Sequence, residues 1–489
     1  MKQSVEKKEN TSFVDDVLKL VTGTAAAQGL TIAAAPVLAR LYGPEAFGAL
    51  ALFVSITKII SQISCLRYEL SINLPKSDEE AANLFSISIG IAIVTSILTI
   101  PIFWFGQSPI VLLLKTSDIQ NYLWLIPPTV LFSGIFLALN FWSSRTKHYG
   151  RLSLAKFFRS LTTVSGQLGT GYAGYTIAGA GLIGSSFAGS AASSLALGYT
   201  VWRKDGSFFR RSVSWTAMKA GLKRYAKFPI YNTWITLLNT VSWQLPVFML
   251  DIFFSSKVVG YYALGYRLIS IPMNLIGQSI RQVFFQRASE ANTNNDQLKT
   301  VVESSFYYLS VLSMFPTFIL LLTGEDLFRV FFGNSWSESG IYVQILSIWL
   351  LVWFISSPMA AIFSIIERQE ISLYIQILVF VLRIFPLLLG GMIGNARIAL
   401  ALFSISGFFA YGYITFLVLK ISNVSIKTSI KHLGNIFITC VPGGIVIILL
   451  KFANTSSTTI VIVDIILVIF YAFIAKRKLK KVNIGVGQT

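Results

Sequence analysis

The chain alternates between long apolar blocks and short breaks rich in charge, proline or glycine. Most blocks are about twenty residues long, the length that an α-helix needs to cross roughly 30 Å of hydrocarbon. The pattern therefore predicts an all-α polytopic membrane protein with about fourteen transmembrane helices. We place these spans at residues 20–39, 46–66, 83–106, 121–142, 157–174, 177–201, 228–253, 260–284, 303–323, 341–366, 371–394, 398–419, 433–452 and 458–475.

Composition supports lipid as the solvent of this fold. Hydrophobic residues make up 54% of the 489 residues and charged residues only 12%, about half the charged fraction of soluble chains. The net charge of +19 is scattered over short loops, so nucleic-acid binding is not expected. Cys65 and Cys440 fall in or beside apolar segments and indicate neither a disulfide framework nor a metal site. No cofactor is expected.

Lysine and arginine are several-fold more frequent in the loops on the side of the N-terminus than in the opposite loops. Cytoplasmic loops show this enrichment, so both termini are predicted to be cytoplasmic. Residues 1–19 form a cytoplasmic N-terminal segment without the basic start of a secretory signal, and the first span is expected to be retained. Residues 476–489 form a basic cytoplasmic tail.

A basic cytoplasmic linker at residues 203–227 is expected to lie partly on the membrane surface, beside anionic head groups. It separates an N-lobe of six spans (20–202) from a C-lobe of six spans (228–419) and a final pair (433–475). A short internal echo supports a duplicated lobe: Pro-Val is followed by FGALAL at 47–52 and again by VGYYAL at 259–264. The recurrence of glycine and alanine at tight turns is the alternative explanation.

The sequence does not indicate an enzyme. Both histidines, His148 and His432, fall in loops, so no span offers an imidazole as base or metal ligand. Asp251 and Asp464 occur singly near the outer ends of their spans. They are predicted to be hydrogen-bonded structural acids, with coupling or gating as the alternative. Arg67 and Glu69, which follow the second span, are further candidates for coupling or gating.

Three cations lie at middle depth in the predicted spans: Lys58, Arg267 and Arg383. A charge near mid-bilayer costs about 2.5–3.5 kcal/mol, so such residues usually face a partner or a wet cavity. We therefore predict a positive cavity that binds an anionic ligand such as a phosphate. Snorkelling of Lys58 and Arg267 to the interfaces is the alternative. Arg40, at the outer end of the first span, fits an interface anchor better than a cavity residue.

Several stretches resemble the Wzx-type polysaccharide flippases, which belong to the MOP superfamily together with MurJ and the MATE exporters. They are LARLYGPEAFG at the first outer turn, RYELSI and LPKSDEEA after the second span, RYAKFP before the seventh, and the run from 260 to 278. The resemblance implies two pseudo-symmetric six-helix lobes, two further C-terminal helices and a central cavity. In relatives, cations on helices 1, 2 and 8 contact the anionic part of the substrate. Lys58 and Arg267 fall on helices 2 and 8.

By this resemblance the protein is expected to flip an undecaprenyl-pyrophosphate-linked oligosaccharide, an O-antigen or capsule repeat unit, across a bacterial inner membrane by alternating access. Membrane lipids, a polysaccharide polymerase and a chain-length regulator are the expected partners. The first span of this chain has no basic residue at mid-depth, whereas relatives have a substrate-contacting cation on helix 1. A MATE-like exporter of drugs or metabolites is the main alternative, and a glycan polymerase or ligase is a weaker one. Polar groups expected to contact the sugar are Gln28, Asn140, Asn239, Gln244 and Gln278.

Overall fold

The structure, a computed structural model, describes residues 2–114, 119–291 and 294–481, and every regular element in these ranges is helical. Two π-helical segments, Phe228–Asn232 and Met273–Gly277, interrupt the α-helices. The α-helices are α1 (Lys2–Leu41), α2 (Pro44–Ile63), α3 (Asp78–Phe105), α4 (Gln107–Leu114), α5 (Ile126–Arg145), α6 (Tyr149–Tyr172), α7 (Ala180–Ser212), α8 (Trp215–Arg224), α9 (Thr233–Phe253), α10 (Ser256–Pro272), α11 (Gln278–Ala291), α12 (Asn295–Phe332), α13 (Ser337–Met359), α14 (Ile362–Ile365), α15 (Gln369–Ile393), α16 (Ala396–Ile421), α17 (Ile426–Phe452) and α18 (Ser457–Lys481).

Among the described residues, 11 helical segments are long and apolar enough to cross a membrane, which confirms a multi-pass helical protein. Three predicted spans lie on other helices. The span at 20–39 lies on α1, the span at 157–174 lies on the more polar α6, and the span at 260–284 is divided by the π-helical segment between α10 and α11. The count of fourteen therefore stays a prediction.

The chain forms two compact units, Met1–Gly260 and Tyr261–Thr489. The lobe, linker and tail boundaries drawn from the sequence stay predictions. The backbone of the predicted N-terminal segment belongs to α1, which begins at Lys2. Most of the predicted basic tail, residues 482–489, lies outside the described residues.

In the first unit, small residues allow α6 and α7 to approach closely, as their composition predicts. A Cβ atom added at Gly189 would lie 1.9 Å from the Thr163 hydroxyl oxygen and 2.9 Å from the carbonyl oxygen of Arg159. A separate aromatic core joins α3, α5 and α7 around Trp142, whose ring lies 4.8 Å from Phe209 between centroids.

The predicted basic linker is folded onto the first unit. The α7 helix continues to Ser212, and α8 then packs Met218 and Leu222 against the aromatic core. A neighbouring side of α8 carries Lys219 and Lys223, both exposed. The apolar side of this amphipathic helix is therefore covered by protein, while its charged side stays open. Contact of that charged side with lipid head groups stays a prediction.

The two glycines of the sequence echo meet each other in the first unit. A Cβ atom at Gly48 would lie 1.9 Å from the carbonyl oxygen of Ser256, and a Cβ atom at Gly260 would lie 1.8 Å from that of Pro44. Each glycine thus touches the residue one helical turn before the other glycine. Such reciprocity is what a local twofold axis produces, so these contacts support the repeat that the echo suggested.

In the second unit, α17 and α18 pack on α12. The Tyr471 ring stacks on Phe315 with 4.5 Å between centroids, and its hydroxyl donates a 2.8 Å hydrogen bond to the carbonyl oxygen of Val311. The α12 and α13 helices cross at Gly324 and Gly340, where a Cβ atom on Gly340 would lie 2.3 Å from the Gly324 carbonyl oxygen. The C-terminal helix pair is therefore attached to the second unit through α12.

Candidate functional site

One face of α11 lines an open cavity of about 370 Å³ in the second unit, and all four of its lining residues are exposed. Its lining residues Gln278, Arg281, Gln282 and Phe285 follow the spacing i, i+3, i+4 and i+7, which places them on one side of a helix. The cavity is within the size range of small-molecule sites. Two amides and a guanidinium can bind hydroxyl and phosphate groups, and the Phe285 ring offers an apolar surface beside them.

Arg267 lies on α10, about three helical turns before Gln278, and its side chain is exposed. The π-helical segment Met273–Gly277 separates the two residues. A π-helical turn contains an extra residue and therefore rotates the following helix face. Sequence spacing alone could therefore not predict whether the Arg267 side chain points to the same side as the α11 cavity residues.

Lys58 is exposed on α2, on the same face as the exposed Val54. Around the helix, the buried Ser55 donates a 3.0 Å hydrogen bond to the side-chain carbonyl of Gln244 on α9. The α2 helix therefore has one polar contact that ties it to α9 and a separate open face that presents a lysine. Gln244, predicted to contact sugar, is 8% exposed and bonded to this serine.

The remaining predicted polar contacts are spread over three helices of the first unit. Gln28 is half-buried on α1, Asn140 is half-buried on α5 and Asn239 is exposed on α9. Arg40 lies in the last turn of α1 and is exposed. Because Lys58 and these residues belong to the first unit, whereas Arg267 and Gln278 belong to the second, a shared cavity stays a prediction.

Arg383 is buried in the interior of the second unit, with 6% of its surface exposed. Its guanidinium donates a 2.8 Å hydrogen bond to the hydroxyl of Tyr411. A stack of aromatic rings surrounds this pair: Tyr266 lies parallel to Trp349, and Trp349 is 6.4 Å from Tyr411 between centroids. This placement favours a role in holding α15 against α16. Substrate contact by Arg383 stays a prediction that this arrangement does not support.

Sequence reasoning did not single out three other cations in predicted spans, Arg159, Arg281 and Lys451. Arg281 lines the α11 cavity. Arg159 is exposed on α6 and donates a 3.0 Å hydrogen bond to the hydroxyl of Ser190 on α7. Nearby, Ser160 donates to the carbonyl oxygen of Ala27 at 2.7 Å and thereby ties α6 to α1. Both arginines fall inside spans drawn from hydropathy, and that position was the available signal.

Arg67 and Glu69 form a buried ion pair in the loop between α2 and α3. Arg67 has a left-handed φ of 63°, and its guanidinium lies 3.1 Å from the carboxylate of Glu69. Glu69 is fully buried, and neither of its oxygens accepts a hydrogen bond among the described residues. Burial raises the pKa of Glu69, and the charge of Arg67 only partly opposes this rise.

The raised pKa of Glu69 predicts a specific dependence of stability on pH. The folded protein keeps this proton at pH values where the unfolded chain has lost it, so stability should increase as pH falls through the folded pKa towards the ordinary carboxyl value. Glu69→Gln should remove this part of the pH dependence. Thermal unfolding of both purified proteins from neutral to mildly acidic pH tests the prediction, and parallel curves would contradict it.

The two isolated acids have different surroundings. Asp251 is 1% exposed and accepts a 3.3 Å hydrogen bond from the hydroxyl of Ser256 across the α9–α10 turn. Asp464, on α18, is 2% exposed, and neither of its oxygens has a hydrogen-bond partner in the described part of the chain.

Among the described residues, no group of three or more His, Cys, Asp or Glu residues is placed to hold a metal ion.

A family model described as "Polysaccharide biosynthesis protein" matches residues 37–341. No match was found among curated proteins. Among solved structures, the lipid II flippase MurJ in an inward closed conformation has a TM-score of 0.74 at 14% identity, over 94% of this chain and 99% of that chain. An inward-facing multidrug resistance MATE family transporter of the MOP superfamily has a TM-score of 0.67 at 14% identity, over 82% of this chain and 94% of that chain.

A MOP superfamily transporter from Pyrococcus furiosus has a TM-score of 0.53 at 13% identity, over 83% of this chain and 95% of that chain. At such identities the likeness establishes the fold. The all-helical fold expected from the sequence, and the resemblance that pointed to MurJ-like and MATE-like proteins, are thereby confirmed.

Proposed function

The chain belongs to the polysaccharide biosynthesis protein family, and on this premise we propose that it flips an undecaprenyl-pyrophosphate-linked oligosaccharide from the cytoplasmic to the periplasmic leaflet of a bacterial inner membrane. O-antigen or capsule repeat units are the proposed cargo, and a polymerase and a chain-length regulator are the proposed partners. The fold shared with MurJ and MATE transporters supports transport rather than catalysis.

The observation that carries the proposal is the α11 cavity, whose lining includes one guanidinium and two amides. A pyrophosphate cannot cross hydrocarbon unaided, because removing water from unpaired charges is prohibitive. Arg281 can bind phosphate oxygens with paired N–H groups, and Gln278 and Gln282 can bind sugar hydroxyls. Arg267 and Lys58, exposed on their own helices, would add positive charge along the route, while the prenyl tail stays in lipid.

Single substitutions of the cations test this proposal. Arg281→Ala, Arg267→Ala and Lys58→Ala should each lower surface polysaccharide by about ten- to hundred-fold, since a hydrogen bond to a charged group contributes about 1.5–3 kcal/mol. Arg281→Lys should retain part of the activity, because it keeps the charge but not the paired donors. Surface glycan and protein level are measured in cells that carry each variant as their only copy.

The matched control is Lys427→Ala, which removes an exposed cation from the first turn of α17. Its glycan level should equal that of the wild type. Normal glycan in the Arg281, Arg267 and Lys58 variants, with the protein still present, would refute the cationic route. The similarity to a multidrug resistance transporter supports a second candidate, an exporter. In that case, deletion should raise drug sensitivity and leave surface glycan unchanged.

A further inference from the structure

Asp464 combines almost complete burial with a lack of donors. The residue lies on α18, and 2% of its surface is exposed. Neither carboxyl oxygen accepts a hydrogen bond from any group in the described ranges. The other acid of this region, Asp326 on α12, is in the opposite situation: it lies 2.9 Å from the Lys451 ammonium and accepts a 2.7 Å hydrogen bond from the hydroxyl of Ser457.

The polar groups that face Asp464 come from the two helices packed against α18. They are Thr323 and Asp326 from α12, and Lys451 from α17. The Thr323 hydroxyl donates its hydrogen to the carbonyl oxygen of Ile319 at 2.9 Å. Lys451 already binds Asp326 and the carbonyl oxygen of Leu322, the latter at 2.6 Å. The hydroxyl and the cation that face Asp464 thus both have another partner.

An ionised carboxylate at this position would be buried with no donor that is free of another partner, which is strongly unfavourable even after the protein relaxes. A neutral carboxylic acid avoids that cost. It also gains a partner, because its O–H can donate to a lone pair of the Thr323 oxygen, whose own hydrogen points to Ile319. The arrangement of donors and acceptors therefore fits an acid that carries its proton.

We propose that Asp464 is a proton-binding site enclosed by α12, α17 and α18. Release of the proton would leave two negative charges, on Asp464 and Asp326, to share one lysine. Release therefore requires water or Lys451 to reach Asp464, and hence a movement of α17 or α18 against α12. Occupancy of the site is in this way linked to the packing of the C-terminal helix pair, whatever substrate the protein carries.

Infrared difference spectroscopy of the purified full-length protein at neutral pH tests the site directly. Subtracting the spectrum of Asp464→Asn from that of the wild type should leave the C=O band of a protonated carboxylic acid. The matched control is Asp326→Asn, which should leave the bands of an ionised carboxylate, since that residue is paired with Lys451. Carboxylate bands in the Asp464 difference would overturn the proposal.

A second variant covers the case in which Asp464→Asn does not accumulate. Thr323→Val keeps the acid and removes the oxygen that would accept its proton, so the carboxylic acid band should shift in frequency. An unshifted band, or no such band, would count against the site. Neither measurement involves polysaccharide. The proton-binding proposal can therefore be refuted while the proposed flippase activity stands, and the flippase activity can be refuted while the proton-binding proposal stands.

Discussion

Replacing Gly48 by alanine should destabilise the protein and lower its activity, although alanine usually favours a helix over glycine. The added methyl carbon would lie 1.9 Å from the carbonyl oxygen of Ser256. A backbone oxygen cannot move aside without shifting the first turn of α10, and overpacking of this kind costs about 1–3 kcal/mol. Gly260→Ala should have an effect of similar size, because its methyl would lie 1.8 Å from the carbonyl oxygen of Pro44.

The reciprocal contact also predicts how the two changes combine. Once one methyl group has separated the two helix ends, the second methyl meets less resistance, so the double variant should lose clearly less stability than the sum of the single losses. Thermal unfolding of the four purified proteins measures this coupling, and surface glycan measures function. Additive losses would show that the two sites are independent and would remove the support for a local twofold axis.

Gly412→Ala is the matched control for helix propensity. A Cβ atom at this α16 glycine has nothing within 4 Å. This change should therefore be neutral or slightly stabilising. If Gly48→Ala were as stable as Gly412→Ala, the close approach of residues 44–48 to residues 256–260 would be wrong. The exposed ion pair between Glu45 and Lys257 at the same junction, 3.2 Å long, should matter little by comparison.

Hydropathy predicted the class of fold because lipid imposes one simple rule: each span must be long, apolar and helical. Hydropathy identified α6 as a span less clearly, because Arg159 and several other polar residues of α6 face neighbouring helices of the protein. The π-helical segment at Met273–Gly277 was not predicted, because Asn274 within it and Pro272 just before it are not specific to a π-helical turn.

The candidate site shows what charge and depth can predict and what they cannot. Depth marked Lys58, Arg267 and Arg383 alike, yet the first two are exposed and the third is enclosed beside Tyr411. Depth gives the position of a residue along the helix axis. Whether its side chain reaches a cavity depends on its direction around that axis and on the residues of other helices that pack against it. Arg281 was overlooked for a related reason: near a span end, a cation is expected to mark topology rather than to bind a ligand.

The contacts of Arg145 could not be predicted from the sequence, because most of its partners are backbone carbonyl groups, which every residue has. Its guanidinium donates to the carbonyl oxygens of Ile72 and Pro75, each at 2.9 Å, and to that of Ser77 at 3.2 Å. It also donates a 3.0 Å hydrogen bond to the carboxylate of Asp78 at the start of α3. One side chain from the end of α5 thus holds the whole loop that follows the Arg67–Glu69 pair.

Arg145→Ala should release this loop and cost about 3 kcal/mol or more of stability, since several charge-assisted hydrogen bonds are lost at once. Thermal unfolding measures the loss. Trypsin provides a local measurement, because Lys76 is exposed in the middle of the loop, and cleavage after it should become much faster in the variant. Arg145→Lys should recover only part of the protection, because an ammonium cannot reproduce the planar set of donors.

Arg211→Ala is the control, because Arg211 is an exposed cation at the end of α7. It should leave both the unfolding temperature and the cleavage at Lys76 unchanged. Cleavage that stays slow in Arg145→Ala would mean that the loop keeps its shape through its other contacts, such as the 3.0 Å hydrogen bond from the Tyr68 hydroxyl to the carbonyl oxygen of Leu222. If cleavage becomes fast, the conformation of the segment RYELSINLPKSDEEA depends on an arginine that lies outside it in the sequence.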